Sequence, residues 1–410
     1  MVKIVLFCEC KGYVLIFLNT VVLGYVKMLE ISLFISYGFC RYFLKRIYEM
    51  HKNSKPIIIT PKTLTFEISG SESATVPFKD LVKLREELVE IRTKKYFIGT
   101  NIVHKNISAL DPYMRAKGII GYRWNAEYPT NAWVKMMQML RDFELIRGPG
   151  DVIFCNAEMP GAFIFAINHY CFSRFGKMNK WWASSLIGPS KISSDFFDDE
   201  FGVREKNPKN WLMTSDMNGD ITIKENRKKI YDRIGGTINL YTSDLGFHSS
   251  SGLTKEAEHV IAHVNSAVTG LMSLAAGGNM VLKFYTFSEP VTANLILGVF
   301  LPNFDQVYMH KPAASRLTNT ESYVVCLGLK KLVPFAAAEK YGDIKTLSKI
   351  PKKININLYN AAALIYGAMN AEMEKMYTLD KCARPVMANI YTEFAFLKKL
   401  PEDRKLSLRC

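Results

Sequence analysis

The stretch "FCNAEMPGAFIFAINHY", Phe154–Tyr170, decides how the rest of the chain is read. An apolar run, a Pro-Gly pair and a second apolar run predict a strand, a tight turn and a helix. Gly161 is its one glycine, so the turn is neither GxGxxG nor a lysine-bearing phosphate loop. A helix starting near Gly161 would offer unpaired backbone N–H groups and the positive end of its dipole. A carboxylate or phosphate can dock there, and without a phosphate loop an amino-acid carboxylate is the better ligand. Whether the turn is a cofactor loop or an ordinary turn in a core depends on what lies around it.

Downstream, strand-like runs at 151–155, 180–186, 237–244, 279–287, 304–311 and 322–329 alternate with helical runs at 161–174, 255–275 and 290–300. Alternation of this kind predicts an α/β fold, parallel β-α-β units in a doubly wound sheet flanked by helices. Ligands of such sheets sit beyond the carboxyl ends of the strands. Upstream, "NAWVKMMQMLRDFELI" (131–146) has helical spacing and is stopped by Gly-Pro-Gly at 148–150. The expected organisation is an apolar segment over 1–49, a helical lead-in over 50–120, the main domain over 121–330, and a helical, basic region over 331–410 without a strand pattern.

The apolar segment has three readings: a membrane anchor, a buried or oligomerising piece, or an upstream extension of a chain starting at Met28 or Met50. Between Lys11 and Lys27 the apolar run is about 15 residues, short of the roughly 20 that span a bilayer. The chain of 410 residues carries a formal charge of +15. That charge favours a polyanionic partner, nucleic acid before membrane surface, against the plainer reading of a lysine-rich composition. Eight scattered cysteines form no CxxC pair, which argues against a zinc or disulfide framework and for a reducing, cytoplasmic setting. His259 and His263 share a helix face but lack a third ligand, so they are read as structural and no metal is expected.

The polar residues at the strand ends form a set. Glu158 precedes Pro160-Gly161. Asp220 follows a Gly turn in "MNGDITI", placed either to accept from a bound adenosine or simply to make the turn. Asp244 ends "LYTSD", Lys283 lies inside "MVLKFY", and Glu321 opens "ESYVVC". A lysine within an apolar strand is the most telling of these, since buried lysines are rare unless paired or functional.

Lys135, Asp244, Lys283 and Glu321 occur in the order and settings of the Lys-Asp-Lys-Glu tetrad of FtsJ-like (RrmJ-type) 2′-O-ribose methyltransferases. "AWVK" (132–135), "PGAFIFAINHY" (160–170), "WWASSL" (181–186), "NGDIT" (218–222), "LYTSD" (240–244), "GGNMVLKFYT" (277–286) and "FDQVYMHKPAASRLTNTESYVVC" (304–326) carry the likeness. The chain resembles the Adrift-type branch, which holds the cap-2 methyltransferase and proteins of large cytoplasmic DNA viruses. The resemblance implies a Rossmann-like methyltransferase sheet that binds S-adenosyl-L-methionine against Pro160, Gly161, Ala162 and Phe163, beside Glu158, with Asp220 toward the adenine. It implies methylation of a ribose 2′-hydroxyl at the first or second transcribed nucleotide of capped mRNA. Lys135, Asp244, Lys283 and Glu321 would be catalytic. Ala162 replaces the second glycine of Pro-Gly-Gly, as in the Adrift-type branch. Ser184 and Ser185 stand where many family members carry an acid for the ribose of the donor. For the phosphates of the RNA the expected contacts are Lys311, Ser315 and Arg316 of "KPAASR", then "KENRKK" (224–229). Methylation of rRNA or tRNA, and a non-catalytic virion or RNA-binding protein on the same fold, are the competing readings.

Overall fold

The computed structural model describes residues 2–10, 13–22, 25–28, 57–70, 74–93, 111–188, 198–213, 217–246, 255–378 and 386–407. The chain divides into two compact units, Met1–Ile57 and Ile58–Cys410. In the first, β1 (Val2–Cys10), β2 (Tyr13–Val22) and β3 (Tyr25–Met28) form an antiparallel three-stranded sheet. The apolar run expected as an anchor or extension is therefore strand where it is described, and residues 29–49 lie outside the described residues. No described helix is long and apolar enough to cross a membrane.

The second unit opens with β4 (Ile57–Ile59), β5 (Leu64–Glu67), β6 (Thr75–Pro77) and helix α1 (Phe78–Thr93). Helices α2 (Ala116–Trp124) and α3 (Asn131–Phe143) follow. The Thr130 hydroxyl caps α3 by accepting from the Trp133 N–H, and the helix ends at Glu144 in the left-handed region, before Gly-Pro-Gly is reached. Then come β7 (Ile153–Asn156), α4 (Ala162–Phe175), β8 (Trp181–Ser184), α5 (Lys224–Ile234), β9 (Ile238–Ser243), α6 (Lys255–Ser273) and β10 (Leu274–Phe284). A helical crossover over 290–303 leads to β11 (Phe304–Lys311) and β12 (Ser322–Leu329). The C-terminal region contains the long helix α7 (Ile356–Thr378), and it also supplies β13 (Lys353–Asn355), which pairs with β6 although no strand pattern was read there.

The central sheet has the order β5-β11-β12-β10-β9-β7-β8. The four strands β8, β7, β9 and β10 are parallel, as the alternation predicts. The sheet as a whole is mixed: β12 runs antiparallel to both β10 and β11, and β5 runs antiparallel to β11. The reason lies in the connections. A crossover helix carries the chain from β10 to β11, but only ten residues join β11 to β12, enough for a hairpin and too few for a crossover with its own helix. The strands β7 and β9 are buried on both faces, because one apolar cluster packs on each side of the sheet.

The reversed β12 is what positions the site. A strand running backwards starts where its parallel neighbours end. Glu321, just before β12, therefore lies at the same edge as Asp244 after β9 and Lys283 near the end of β10, and the register pairs Lys283 with Tyr323.

Candidate active site

Four ionisable side chains from four elements meet at that edge. Lys135, in the first half of α3, places Nζ 2.8 Å from Glu321 Oε1. Lys283 donates to the Asp244 carbonyl oxygen at 2.6 Å and stands 3.3 Å from its Oδ1. Both lysine side chains are nearly buried, 9% and 11% exposed. Tyr323, which sequence reasoning missed, ties the two pairs together: its hydroxyl donates to Asp244 Oδ1 at 2.8 Å, and Lys135 Nζ lies 5.8 Å from its ring centre. The signal was present in "ESYV", since residues two apart in a strand share a face.

Burial alone would raise the Glu321 carboxyl, but Lys135 and Lys283 outweigh it and hold the group at about 2. Glu321 thus stays ionised across the physiological range. For Tyr323, burial and then the charge of Asp244 push the phenol well above its ordinary value, so it remains a donor.

The turn of the opening motif departs from its expected use. The Glu158 Oε1 accepts from the backbone N–H of Phe163 at 2.7 Å and of Ile164 at 3.1 Å. The helix N-terminus expected to receive a ligand carboxylate is already occupied by this chain's own. Glu158 is buried, and burial raises its carboxyl well above the usual range despite those two donors, with Asp244 adding to the rise. Gly161 is required where it stands: its φ is +112°, and a Cβ there would come within 3.0 Å of Val203 Cγ1.

Asp220 lies in a loop pressed onto the end of β8. A Cβ on Gly219, at φ +80°, would sit 1.9 Å from the Ser185 carbonyl oxygen, so only glycine allows the approach. Thr222 binds Asp220 Oδ1 through both its N–H and its hydroxyl, and Oδ2 has no protein donor among the described residues. Ser184 and Ser185 do not replace an acid facing outward. The Ser184 hydroxyl donates to Asn156 Oδ1, the Asn156 amide donates to the Ser243 hydroxyl, and the Ser185 hydroxyl accepts from the Met159 N–H. They fasten the carboxyl ends of β8, β7 and β9 in a buried row.

Of the three residues expected to meet RNA phosphates, Lys311 and Ser315 are buried instead. Lys311 Nζ donates to the carbonyls of Asn319 at 2.7 Å and Glu321 at 2.6 Å. The Ser315 hydroxyl donates to Glu321 Oε1 at 2.8 Å, and Gln138, one turn beyond Lys135, accepts from the Ala314 N–H. These side chains fix the connection that carries Glu321, and an interior position denies them a phosphate. Arg316 remains at the surface, 3.8 Å from Asp111 Oδ2. His259 and His263 lie in the α6 core against Tyr285 and Phe284, and no metal-binding group occurs among the described residues.

The chain has known relatives. The sequence model of the FtsJ-like methyltransferase family matches residues 128–329. A probable methyltransferase EP424R of African swine fever virus is 34% identical over 325 residues, covering 74% of this chain and 75% of the relative. The chain belongs to the FtsJ-like methyltransferase family. Another isolate's EP424R is 36% identical over 253 residues, covering 59% of this chain, which spans 58% of that relative's length. The cap-specific mRNA (nucleoside-2'-O-)-methyltransferase 2 of Mus musculus is 34% identical over 270 residues, 62% of this chain and 34% of the relative. The matched region of this FtsJ-like chain contains all four ionisable residues of the cluster and leaves α1, α2, α7 and the C-terminal tail outside it.

Proposed function

We propose that this chain transfers a methyl group from S-adenosyl-L-methionine to the ribose 2′-hydroxyl of capped mRNA, at the first or second transcribed nucleotide, in the host cytoplasm. The observation that carries the reading is the pair of buried Lys–carboxylate contacts, Lys135–Glu321 and Lys283–Asp244, side by side at the carboxyl edge of the sheet. The donor, when bound, supplies an electrophilic methyl on a sulfonium. Its positive charge suits an edge that carries Asp244, and Asp220 Oδ2 is open to a hydroxyl or amine of the adenosine. The turn Pro160–Phe163 would lie against its amino-acid end.

The chain's own part is to position the nucleophile and to stabilise the charge it develops. A 2′-hydroxyl needs alignment with the methyl group and relief of the negative charge that grows on oxygen. Lys283 is the residue placed for both. Asp244 holds its amine from two sides, leaving one N–H direction for the ribose oxygen, and Lys135 adds a second positive charge at the same edge. As the methyl group is transferred, the Lys283 ammonium would stabilise the negative charge growing on the ribose oxygen through its third N–H, and the hydroxyl proton would leave to water. Glu321 and Tyr323 keep the two amines in register.

The test is mass spectrometry of capped and uncapped oligonucleotides after incubation with S-adenosyl-L-methionine. A gain of one methyl on the first or second ribose of the capped RNA, lost in Lys283→Ala, is the expected result. Methylation of uncapped rRNA or tRNA fragments in its place would reassign the substrate, and equal transfer by Lys283→Ala would overturn the catalytic reading.

A further inference from the structure

Helix α2 lies outside the region matched by the family, yet it is coupled to the candidate site. Lys117 Nζ donates at 2.8 Å to Asn131 Oδ1, in the first residue of the helix that carries Lys135. Just ahead of α2, Asp111 faces Arg316, on the connection that leads to Glu321. One side of α2 is fixed in the core through Ala116, Ile120 and Trp124. The other side is bare among the described residues. Arg115, Gly118 and Tyr122 follow at intervals of three and four, so they share that face. Tyr122 is 91% exposed, and a Cβ on Gly118 would touch nothing within 4 Å.

The chemistry of this face is that of a single-strand binder. The helix has three basic residues counting its N-cap, Arg115, Lys117 and Arg123, and no acidic one. Beside Tyr122, the Arg123 guanidinium stacks 5.0 Å from the ring of Tyr391, itself 51% exposed. Two acids of the neighbouring segments are engaged: Asp111 is buried toward Arg316, and Glu402 binds Asn125 and Lys405. Tyr122 stands seven positions beyond Arg115, a rise of about 10 Å, so a cation and a stacking ring stand at the two ends of a glycine gap. An aromatic face takes any base, and a flanking cation takes its phosphate.

We propose that the Arg115–Gly118–Tyr122 face of α2 is a docking strip for the single-stranded RNA that flanks the nucleotide to be methylated. The strip rests on the RNA substrate proposed above and extends it to a named surface. Tyr122 stacks a base and Arg115 neutralises a phosphate.

The experiment is fluorescence anisotropy with the full chain and two labelled probes, a capped dinucleotide and a capped RNA of about twelve nucleotides, with Tyr122→Ala and Arg115→Gln. For the longer RNA, Tyr122→Ala raises Kd by about five-fold or more. Arg115→Gln lowers the dependence of log K on log salt by about 0.7. Both variants bind the dinucleotide as the unaltered chain does, and their thermal midpoints match it because the side chains are exposed. Unchanged affinity for the longer RNA, or an equal loss with both probes, overturns the strip. A chain that binds RNA through these residues but transfers no methyl group to any RNA would sink the proposed activity alone, so the two failures are separable.

Discussion

The Lys283 ammonium stands 2.6 Å from the backbone carbonyl of Asp244 and 3.3 Å from its Oδ1, so a single residue grips the lysine by main chain and side chain together. Asp244→Asn separates the two grips. The main-chain contact and an acceptor for Tyr323 survive, while the negative charge beside the lysine is lost. The expected outcome is a fall in kcat of about 100-fold or more, the range for a displaced general base or charge stabiliser. KM for the methyl donor should change little. Steady-state methyl transfer to capped RNA measures both, and activity within about three-fold of the unaltered chain would show that the Asp244 charge is dispensable.

Two glycines near the site predict opposite failures. A Cβ on Gly246 would lie 2.9 Å from Lys283 Nζ and 3.2 Å from the Tyr285 hydroxyl, both at the ends of side chains. Gly246→Ala should therefore fold normally and displace the lysine tip, cutting kcat by more than its effect on the thermal midpoint would suggest. Gly219→Ala meets backbone, the Ser185 carbonyl at 1.9 Å, from a φ of +80°. It should lower stability by about 1–3 kcal/mol and weaken donor binding, because the Asp220 loop must leave β8. Urea unfolding and donor titration of the two variants distinguish these outcomes.

The strands, the motif turn and the members of the ionisable cluster were legible because each is a local signal: period-two apolar runs, a Pro-Gly stop, a lysine where none should be buried. The reversal of β12 was not, because direction depends on the length of a connection and on which neighbour accepts the strand. Lys311 shows the same limit. In "HKPAASR" it reads as a surface cation, and only the fold reveals two carbonyls converging on its amine from eight and ten residues further along. Glu158 was placed at the right turn but given a ligand's anion to sit beside, when its own carboxylate fills the helix end.

Glu321 makes an acid-range prediction. Its folded value of about 2 lies below the roughly 4.3 of an unfolded glutamate. A depressed carboxylate contributes stability that is fully present above the unfolded value and is lost as pH falls through the folded one. Glu321→Gln should accordingly remove stability at pH 7 and converge on the unaltered chain between about pH 4 and pH 2. At neutral pH the loss should approach about 3 kcal/mol, since Lys135 would be left buried without its partner. Chemical denaturation across this range measures it, and a constant difference down to pH 2 would assign the effect to packing.

Lys311 predicts a slope of the same sign at the alkaline side. Burial lowers its amine to about 7, partly offset by Glu321, with Arg92 and Lys135 adding to the fall. The unfolded lysine titrates near 10.4, so between about 7 and 10 the unfolded chain binds the extra proton and stability rises with pH. Lys311→Met removes that group. Relative to the variant, the unaltered chain should gain stability from pH 7 to pH 9.5, a difference in which the other titrating side chains cancel. The same variant should lose methyl transfer more than donor affinity, because the carbonyls of Asn319 and Glu321 lose the amine that joins them, and Lys311→Gln, which restores a donor, should recover part of it. Parallel stability curves for the two proteins would mean that the amine stays charged in its buried place.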